Sequence, residues 1–322
     1  MKKKKIVALG GGSGLSSLLI GLKKFPVDIT AVVSVCDDGS STGKLRKEFK
    51  IPAVGDIRKV IASLSETDEL MEELLNYRFK TTSDLNGHTV GNLMLTALSN
   101  ITGNMSDGIE VLSSVLNLKG HVLPLTEDNA ILMAKMKDGT VVEGEHNITD
   151  YNGTIKKVYY KNKVKVNPKV IKALKEADLI IFSMGSLFTS IIPDLLCKEI
   201  VKGIDEIKTP IMYVCNMMTQ PGETDKFKVS DHVKLLNSYL GKRKIDILVV
   251  NNGEITEPMV KKYETKEKKD PVVYDKDETK KLVKRIIVDD FIDESSGILR
   301  HDALNLGFYI FRELEGKSKL NK

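Results

Sequence analysis

The chain has 322 residues, 41% of them apolar and 29% charged, with nine prolines and no tryptophan. That balance fits a globular protein with a sizeable core and excludes a disordered or low-complexity chain. The 49 Lys and Arg exceed the 44 Asp and Glu by five, an excess too thinly spread, with too few aromatics, for a dedicated nucleic-acid binder.

No apolar run approaches the roughly 20 residues that span a bilayer. Glycines interrupt the apolar stretch behind the N-terminal lysines before any cleavage site, so neither a membrane span nor a signal peptide is expected, and the expected location is the cytoplasm. Cys36, Cys197 and Cys215 sit singly among apolar residues, and the five histidines form no paired motif. Buried reduced thiols and no transition-metal site follow as expectations.

Ile6 to Leu9 is a short apolar run, Leu15, Leu18, Leu19 and Leu22 recur at helical spacing, and Ile29 to Cys36 is rich in β-branched residues. Together they predict β, α, β. Asp37 to Gly43 reads as a loop, Asp56 as the N-cap of a helix carrying Ile57, Val60, Ile61 and Leu64, and Glu69 to Tyr77 as a further helix. Val90 to Leu98 and Ile109 to Leu116 are helical in period. From about 122 to 167 the pattern turns to hairpins, with Asp138-Gly139 and Lys161-Asn162-Lys163 as their turns.

Helix and strand then alternate: helix Pro168 to Glu176, strand Asp178 to Met184, helix Ser190 to Lys202, strand Pro210 to Cys215, helix Ser230 to Leu240 and strand Ile245 to Val250. The expected fold class is α/β, with a mostly parallel sheet covered on both faces and a β-hairpin insertion, all in one domain over residues 1–322. In such sheets ligands sit beyond the carboxyl ends of the strands.

The first such loop holds Gly10, Gly11, Gly12, Ser13 and Gly14. Leu15 or Ser17 stands where a dinucleotide fingerprint has its third glycine, and no Lys-Ser/Thr pair follows, so neither common phosphate motif is complete. Glycines at a strand end still let a backbone approach an anion at a helix start, the alternative being a tight turn with close packing. In "CDDGSSTGKLR", Asp37 and Asp38 suit Mg²⁺ or proton acceptance from a substrate hydroxyl, or else merely cap a solvated turn. "NGHTVGNL" offers His88 and Asn92 at a helix start, as a general base and a ligand contact or as satisfied backbone partners.

"MGSLFTS" repeats the first loop's logic with Gly185, Ser186, Thr189 and Ser190, either holding an anion or only capping a helix. Asn216, Thr219, Gln220 and Glu223 follow the next strand. Arg300, beside His301, suits paired hydrogen bonds to phosphate or a surface ion pair.

Taken together, "GGGSGLSSLLIGLK", "CDDGSSTGKLR", "GDIRKVIASLSE", "NGHTVGNL", "GSLFTSIIPDLL", "CNMMTQPGETD" and "ILRH" resemble the YvcK family of bacterial proteins, the gluconeogenesis factors, over nearly the whole chain. That family is grouped with CofD, the transferase that moves 2-phospholactate from a guanosine diphosphate conjugate onto a deazaflavin. The resemblance implies a three-layer Rossmann-like (CofD-like) fold. It also implies binding of a UDP-sugar, UDP-N-acetylglucosamine, and a role in cell shape and growth on gluconeogenic carbon sources, with no established reaction.

By position, Ser13 stands where the family has threonine in GGGTG. Gly185, Ser186 and Thr189 match the GSLYTS loop, with Phe188 for tyrosine, and Arg300 matches the arginine of the LRH motif. Ser40 replaces a glycine of DDGGSSG, so a positive φ there would strain the loop. Asp37 and Asp38 match aspartates that lie by the acceptor hydroxyl and metal in the transferase branch.

The leading reading is a cytoplasmic nucleotide-sugar-binding regulator. The rival is a Mg²⁺-dependent phospho-group transferase acting on a nucleotide diphosphate conjugate, with Asp37 and Asp38 as its candidate catalytic residues. NAD binding stays open because the loops meet a diphosphate before a base. Protein partners in cell-envelope regulation and a homodimeric state also stay open.

Overall fold

The computed structural model describes residues 3–316. Its first half runs β1 (Lys4–Gly10), α1 (Gly12–Leu22), β2 (Val27–Val33), α2 (Ser40–Phe49), α3 (Gly55–Leu64), α4 (Glu69–Asn76), α5 (Val90–Thr102) and α6 (Met105–Val115). Next come β3 (His121–Pro124), β4 (Leu132–Met136), β5 (Val141–Glu143), α7 (Glu145–Asp150), β6 (Ile155–Tyr160), α8 (Pro168–Glu176) and β7 (Leu179–Phe182). A π-helical turn (Leu187–Ile191) leads into α9 (Ile192–Leu195), α10 (Lys198–Asp205), β8 (Ile211–Val214), α11 (Val229–Tyr239) and β9 (Ile247–Asn251). The chain continues through α12 (Glu257–Glu267), α13 (Lys276–Lys280), β10 (Arg285–Asp289), β11 (Ile292–Asp293), β12 (Arg300–His301) and α14 (Ala303–Leu314).

Seven strands form one parallel sheet in the order β10-β9-β8-β7-β1-β2-β3. The apolar runs of β1, β7 and β8 are buried along their length because helices cover both sheet faces, so the strands need no polar alternation. Helix α1 packs between α3 and α14, and α8 packs beside α10. Buried side chains from all seven strands and the flanking helices join one apolar cluster. No helix among the described residues is long and apolar enough to cross a membrane.

The predicted α/β class holds, with several local departures. The segment 122–167 does contain a small antiparallel sheet, β5-β4-β6, and Asp138-Gly139 turns β4 into β5 as expected. Its first strand, β3, instead pairs in parallel with β2 at the edge of the main sheet. The expected hairpin at Lys161 to Lys163 does not form: the chain leaves β6 and Val166 bridges Thr126. The expected single helix from Ser190 to Lys202 is broken into a π turn and two helices. Pro193, at the start of α9, has no N–H to continue the earlier ladder.

The loop expected over Asp37 to Gly43 becomes helical at Ser40, whose φ is 40°. A side chain in that left-handed region costs about 1–2 kcal/mol, a strain glycine escapes. Ser40→Gly is therefore expected to stabilise the fold by about 0.5–1 kcal/mol, net of the extra freedom glycine gives the unfolded chain. A urea midpoint that stays put or falls would contradict this.

Candidate functional site

The connection from β1 proceeds to β2 and β3, whereas that from β7 proceeds the opposite way, to β8, β9 and β10. The strand order thus reverses between β1 and β7, and a crevice opens beyond their carboxyl ends. The two glycine and hydroxyl loops of the sequence flank that crevice. A cleft of about 420 Å³ lies there, lined by Gly11, Gly12, Ser13, Gly14, Asp37, Gly185, Ser186, Thr189, Ser190, Asn216, Thr219 and Arg300.

The loops meet backbone to backbone. A Cβ on Gly14 would stand 1.5 Å from the carbonyl oxygen of Met184, so only glycine lets α1 start this close to the end of β7. Gly12 has φ 60°, which turns the chain into α1. The N–H groups of that first turn have no partner within the helix and carry the positive end of its dipole.

On the opposite wall, Ser186 Oγ accepts the Thr189 N–H at 3.0 Å and the Thr189 hydroxyl at 2.8 Å. Asn216 Nδ2 donates to the Gly185 carbonyl at 2.8 Å and so ties the β8 loop to this one. Thr219 pairs with Asp270 through its backbone at 2.8 Å and its hydroxyl at 2.9 Å. Behind the wall Glu223 is buried and accepts from Ser186 Oγ at 2.5 Å, Phe188 N–H at 3.2 Å and Gln220 Nε2 at 2.9 Å.

The paired aspartates diverge. Asp37 lines the cleft and accepts the Gly39 N–H at 3.0 Å. Its loop is pinned by the buried Arg46, which donates to the carbonyls of Cys36 at 3.0 Å, Asp37 at 2.8 Å and Ala130 at 2.6 Å. Asp38 turns away and accepts the His146 N–H at the start of α7 at 2.8 Å. The two carboxylates thus face different surroundings, and among the described residues no three His, Cys, Asp or Glu cluster.

Asn92 lies outside the cleft lining, in a buried polar network. It accepts from Arg58 Nε at 3.1 Å and donates to Ser41 Oγ at 3.2 Å, and Ser41 in turn meets His88 Nδ1 at 3.0 Å. Gly10 is buried at the end of β1, below the lining residues.

Two carboxylates that sequence reasoning did not assign to the site come in from elsewhere. Asp56 is not the expected N-cap, a place taken by Val54. It sits inside the first turn of α3, against Gly11 and Gly12, with Lys59 at 3.0 Å. Burial pushes its carboxyl up, Lys59 pulls it down and Asp37 pushes it up again. Glu145, at the start of α7, is pushed up to about 7, first by burial and then by Asp37. The helix-start position of Asp56 was a readable signal, but Glu145 had none, because only the folding back of the antiparallel segment brings it to the cleft.

Three cations line the cleft: Lys59, Lys269 and Arg300. Lys59 is paired with Asp56, and Lys269 with Glu267 at 2.6 Å. Arg300 is exposed on the β11–β12 hairpin and forms no ion pair among the described residues. Next to it, His301 is buried, and its Nε2 lies 3.2 Å from the Cys215 carbonyl. A carbonyl only accepts, so Nε2 carries the proton, while burial holds the imidazole down at about 4 and therefore neutral. Met184, Met217, Met218 and Leu299 supply an apolar wall.

Residues 6–292 match the family model described as 2-phospho-L-lactate transferase CofD. The chain is 45% identical over 304 residues to the gluconeogenesis factor of Bacillus subtilis, covering 94% of this chain and 95% of that one. It is 43% identical to a putative gluconeogenesis factor of Thermotoga maritima, covering 96% and 98%. A crystal structure of a Bacillus halodurans protein, 42% identical, superposes with a TM-score of 0.93 over 96% of this chain and 100% of that one.

Proposed function

Because the chain belongs to the CofD-like family of gluconeogenesis factors, we propose that its cleft binds a nucleotide diphosphate sugar of the UDP-N-acetylglucosamine kind. In the ligand-bound state it acts in the cytoplasm as a regulator of cell morphogenesis and of growth on gluconeogenic carbon. The observation that carries this reading is the meeting of two anion-ready loops, Gly11 to Gly14 and Gly185 to Ser190, at one crevice. One loop suits one phosphate, and two facing loops suit a diphosphate. The cleft volume of about 420 Å³ is that of a small-molecule site. Arg300 lines the same cleft and suits paired hydrogen bonds to phosphate, and the methionine wall suits the flat face of a base or sugar.

A ligand present at about 100 times its Kd adds about 2.7 kcal/mol of stability to the state that binds it. UDP-N-acetylglucosamine is thus expected to raise the melting temperature by several degrees, and more than NAD, which shares only the diphosphate. An unchanged melting temperature at millimolar ligand would overturn the reading.

Phospho-group transfer is the second reading, favoured by the family model and by three carboxylates, Asp37, Asp56 and Glu145, lining the same cleft. Any of them at that wall can take a proton from an acceptor hydroxyl. It requires release of nucleotide from a nucleotide diphosphate conjugate, faster with Mg²⁺ than without, and loss of that release in Asp37→Asn.

A further inference from the structure

The loop after β7 spends most of its hydrogen-bond donors on itself. The Gly185 N–H goes to the Ser183 carbonyl at 3.1 Å and the Ser190 N–H to the Ser186 carbonyl at 3.1 Å. The Phe188 N–H goes to Glu223 Oε2 at 3.2 Å and the Thr189 N–H to Ser186 Oγ at 3.0 Å. Two hydroxyls are spent as well: Thr189 donates to Ser186 Oγ at 2.8 Å, and Ser186 donates to Glu223 Oε2 at 2.5 Å. Ser186 and Thr189 line the cleft, whereas Glu223 lies behind them, only 3% exposed. An anion needs donors, and with a carboxylate at Glu223 these two hydroxyls offer it none. We propose that Glu223 is the positioning residue that sets the hydrogen-bonding polarity of this loop: an anion seated there is bound together with one proton at Glu223, which releases one hydroxyl hydrogen to the anion. The proposal deepens the reading of the loop as half of a diphosphate site and rests on it.

The number of lone pairs forces the exchange. A hydroxyl oxygen accepts two hydrogen bonds and donates one. With Glu223 ionised, Ser186 Oγ is full, because it accepts the Thr189 N–H and O–H and donates to the carboxylate. A proton on Glu223 Oε2 brings a third donor to the same oxygen. The Thr189 N–H is fixed by the backbone, so the Thr189 O–H must turn away. Ser186 no longer has an acceptor at Glu223 and turns its own hydrogen to Thr189 Oγ1. One hydroxyl hydrogen is then left over at the cleft wall. The proton comes from a buffer acid, one O–H bond forms at Glu223, and the two hydroxyls only rotate.

The surroundings of Glu223 suit such a role. Its second oxygen, Oε1, accepts the Gln220 amide at 2.9 Å and anchors the carboxyl in either state. Burial pushes the carboxyl up to about 7, against the pull of its Ser186 and Phe188 hydrogen bonds and of Lys269, while Asp225 adds to the push. Lys269 lines the cleft and is held by Glu267 at 2.6 Å. An anion at the loop adds negative charge near Glu223, and the released hydroxyl adds a hydrogen bond that only the protonated state makes. Both strengthen the hold of Glu223 on its proton. By linkage, anion affinity then falls as pH rises through the range in which the free protein has lost this proton and the complex has kept it.

Labelling with ¹³C at the glutamate side-chain carboxyls follows Glu223 directly, its signal being the one lost in Glu223→Gln. Titrations from about pH 5 to about pH 9 are run on the protein alone, with sulfate, and with UDP-N-acetylglucosamine, two anions whose charge is constant over that range. Each is expected to raise the Glu223 midpoint by about one to two units. Ser186→Ala keeps Glu223 and removes the hydroxyl that joins it to Thr189. There the rise is expected to shrink to the small part that charge repulsion gives through space. A rise of parental size in Ser186→Ala overturns the proposal.

Glu223→Gln holds the neutral state at every pH, with its amide donating to Ser186. The Phe188 N–H loses its acceptor in that variant, so a lower melting temperature is expected, and the readout is the pH profile. Between about pH 7 and about pH 9 the parent is expected to lose nucleotide-sugar affinity by about 5- to 30-fold, while Glu223→Gln stays level. A variant that keeps the parental slope overturns the proposal. A midpoint raised by sulfate but not by the nucleotide sugar refutes the diphosphate-sugar reading and leaves the role of Glu223 standing. A nucleotide sugar that binds without raising the midpoint overturns the role of Glu223 alone, and a midpoint that neither anion moves overturns it too.

Discussion

Gly14→Ala is expected to lower stability by about 3–5 kcal/mol and to abolish ligand binding together. Its Cβ would overlap the Met184 carbonyl, at 1.5 Å from the oxygen and 2.5 Å from the carbon. Both are backbone atoms held by the sheet, so no rotamer change relieves the clash, and the β1 and β7 loops must part. A loss of that size is a large share of the roughly 5–15 kcal/mol that holds a domain folded. Gly21→Ala is the useful comparison. There a Cβ would stand 1.7 Å from the Ala303 carbonyl, in the α1–α14 contact, away from the cleft lining. It is expected to destabilise on a similar scale while any folded fraction keeps its affinity. Urea denaturation and titration calorimetry at low temperature separate the two effects, and a Gly14→Ala protein with parental midpoint and affinity would refute the contact.

Arg300→Ala is expected to weaken UDP-N-acetylglucosamine binding by about 10- to 100-fold, the loss of charge-assisted hydrogen bonds to phosphate at about 1.5–3 kcal/mol. The side chain is exposed and forms no ion pair among the described residues, so the unliganded melting temperature should stay the same. Ligand that gives the parent about 2.7 kcal/mol would then give the variant only about 0.4–1.4 kcal/mol. Arg300→Lys keeps the charge but loses the planar fork, and is expected to fall between. An Arg300→Ala protein that binds as tightly as the parent would remove this arginine from the site.

The strands that carry the fold were readable because each is a local feature. "IVAL", "LIIF" and "IMYV" are short unbroken apolar runs, and a strand covered on both faces needs nothing else. The helix starts were less readable. Asp56 resembled an N-cap because a carboxylate at a helix start most often serves that end, yet its neighbours Gly11 and Gly12 draw it to the cleft. The strain at Ser40 was anticipated from one missing glycine, and its φ of 40° bears that out. The span Ser190 to Lys202 reads as one helix, and the break at Leu196 and Cys197 between α9 and α10 was missed.

Glycine loops, apolar runs and turn pairs are short-range properties: φ preference, periodicity and side-chain volume act within a few residues, so composition and order alone were enough to place them. Which loops face each other is a long-range outcome. Val7 pairs with Ile180 as well as with Thr30, and that register alone sets the Gly14 loop against Met184. The same packing turns Asp38 away to α7 while leaving Asp37 at the cleft. It also joins Glu223, from the loop after β8, to Thr189 through Ser186, in the loop after β7, by hydrogen bonds. No local pattern encodes those meetings, because the free energy that selects them comes from burying the whole sheet at once.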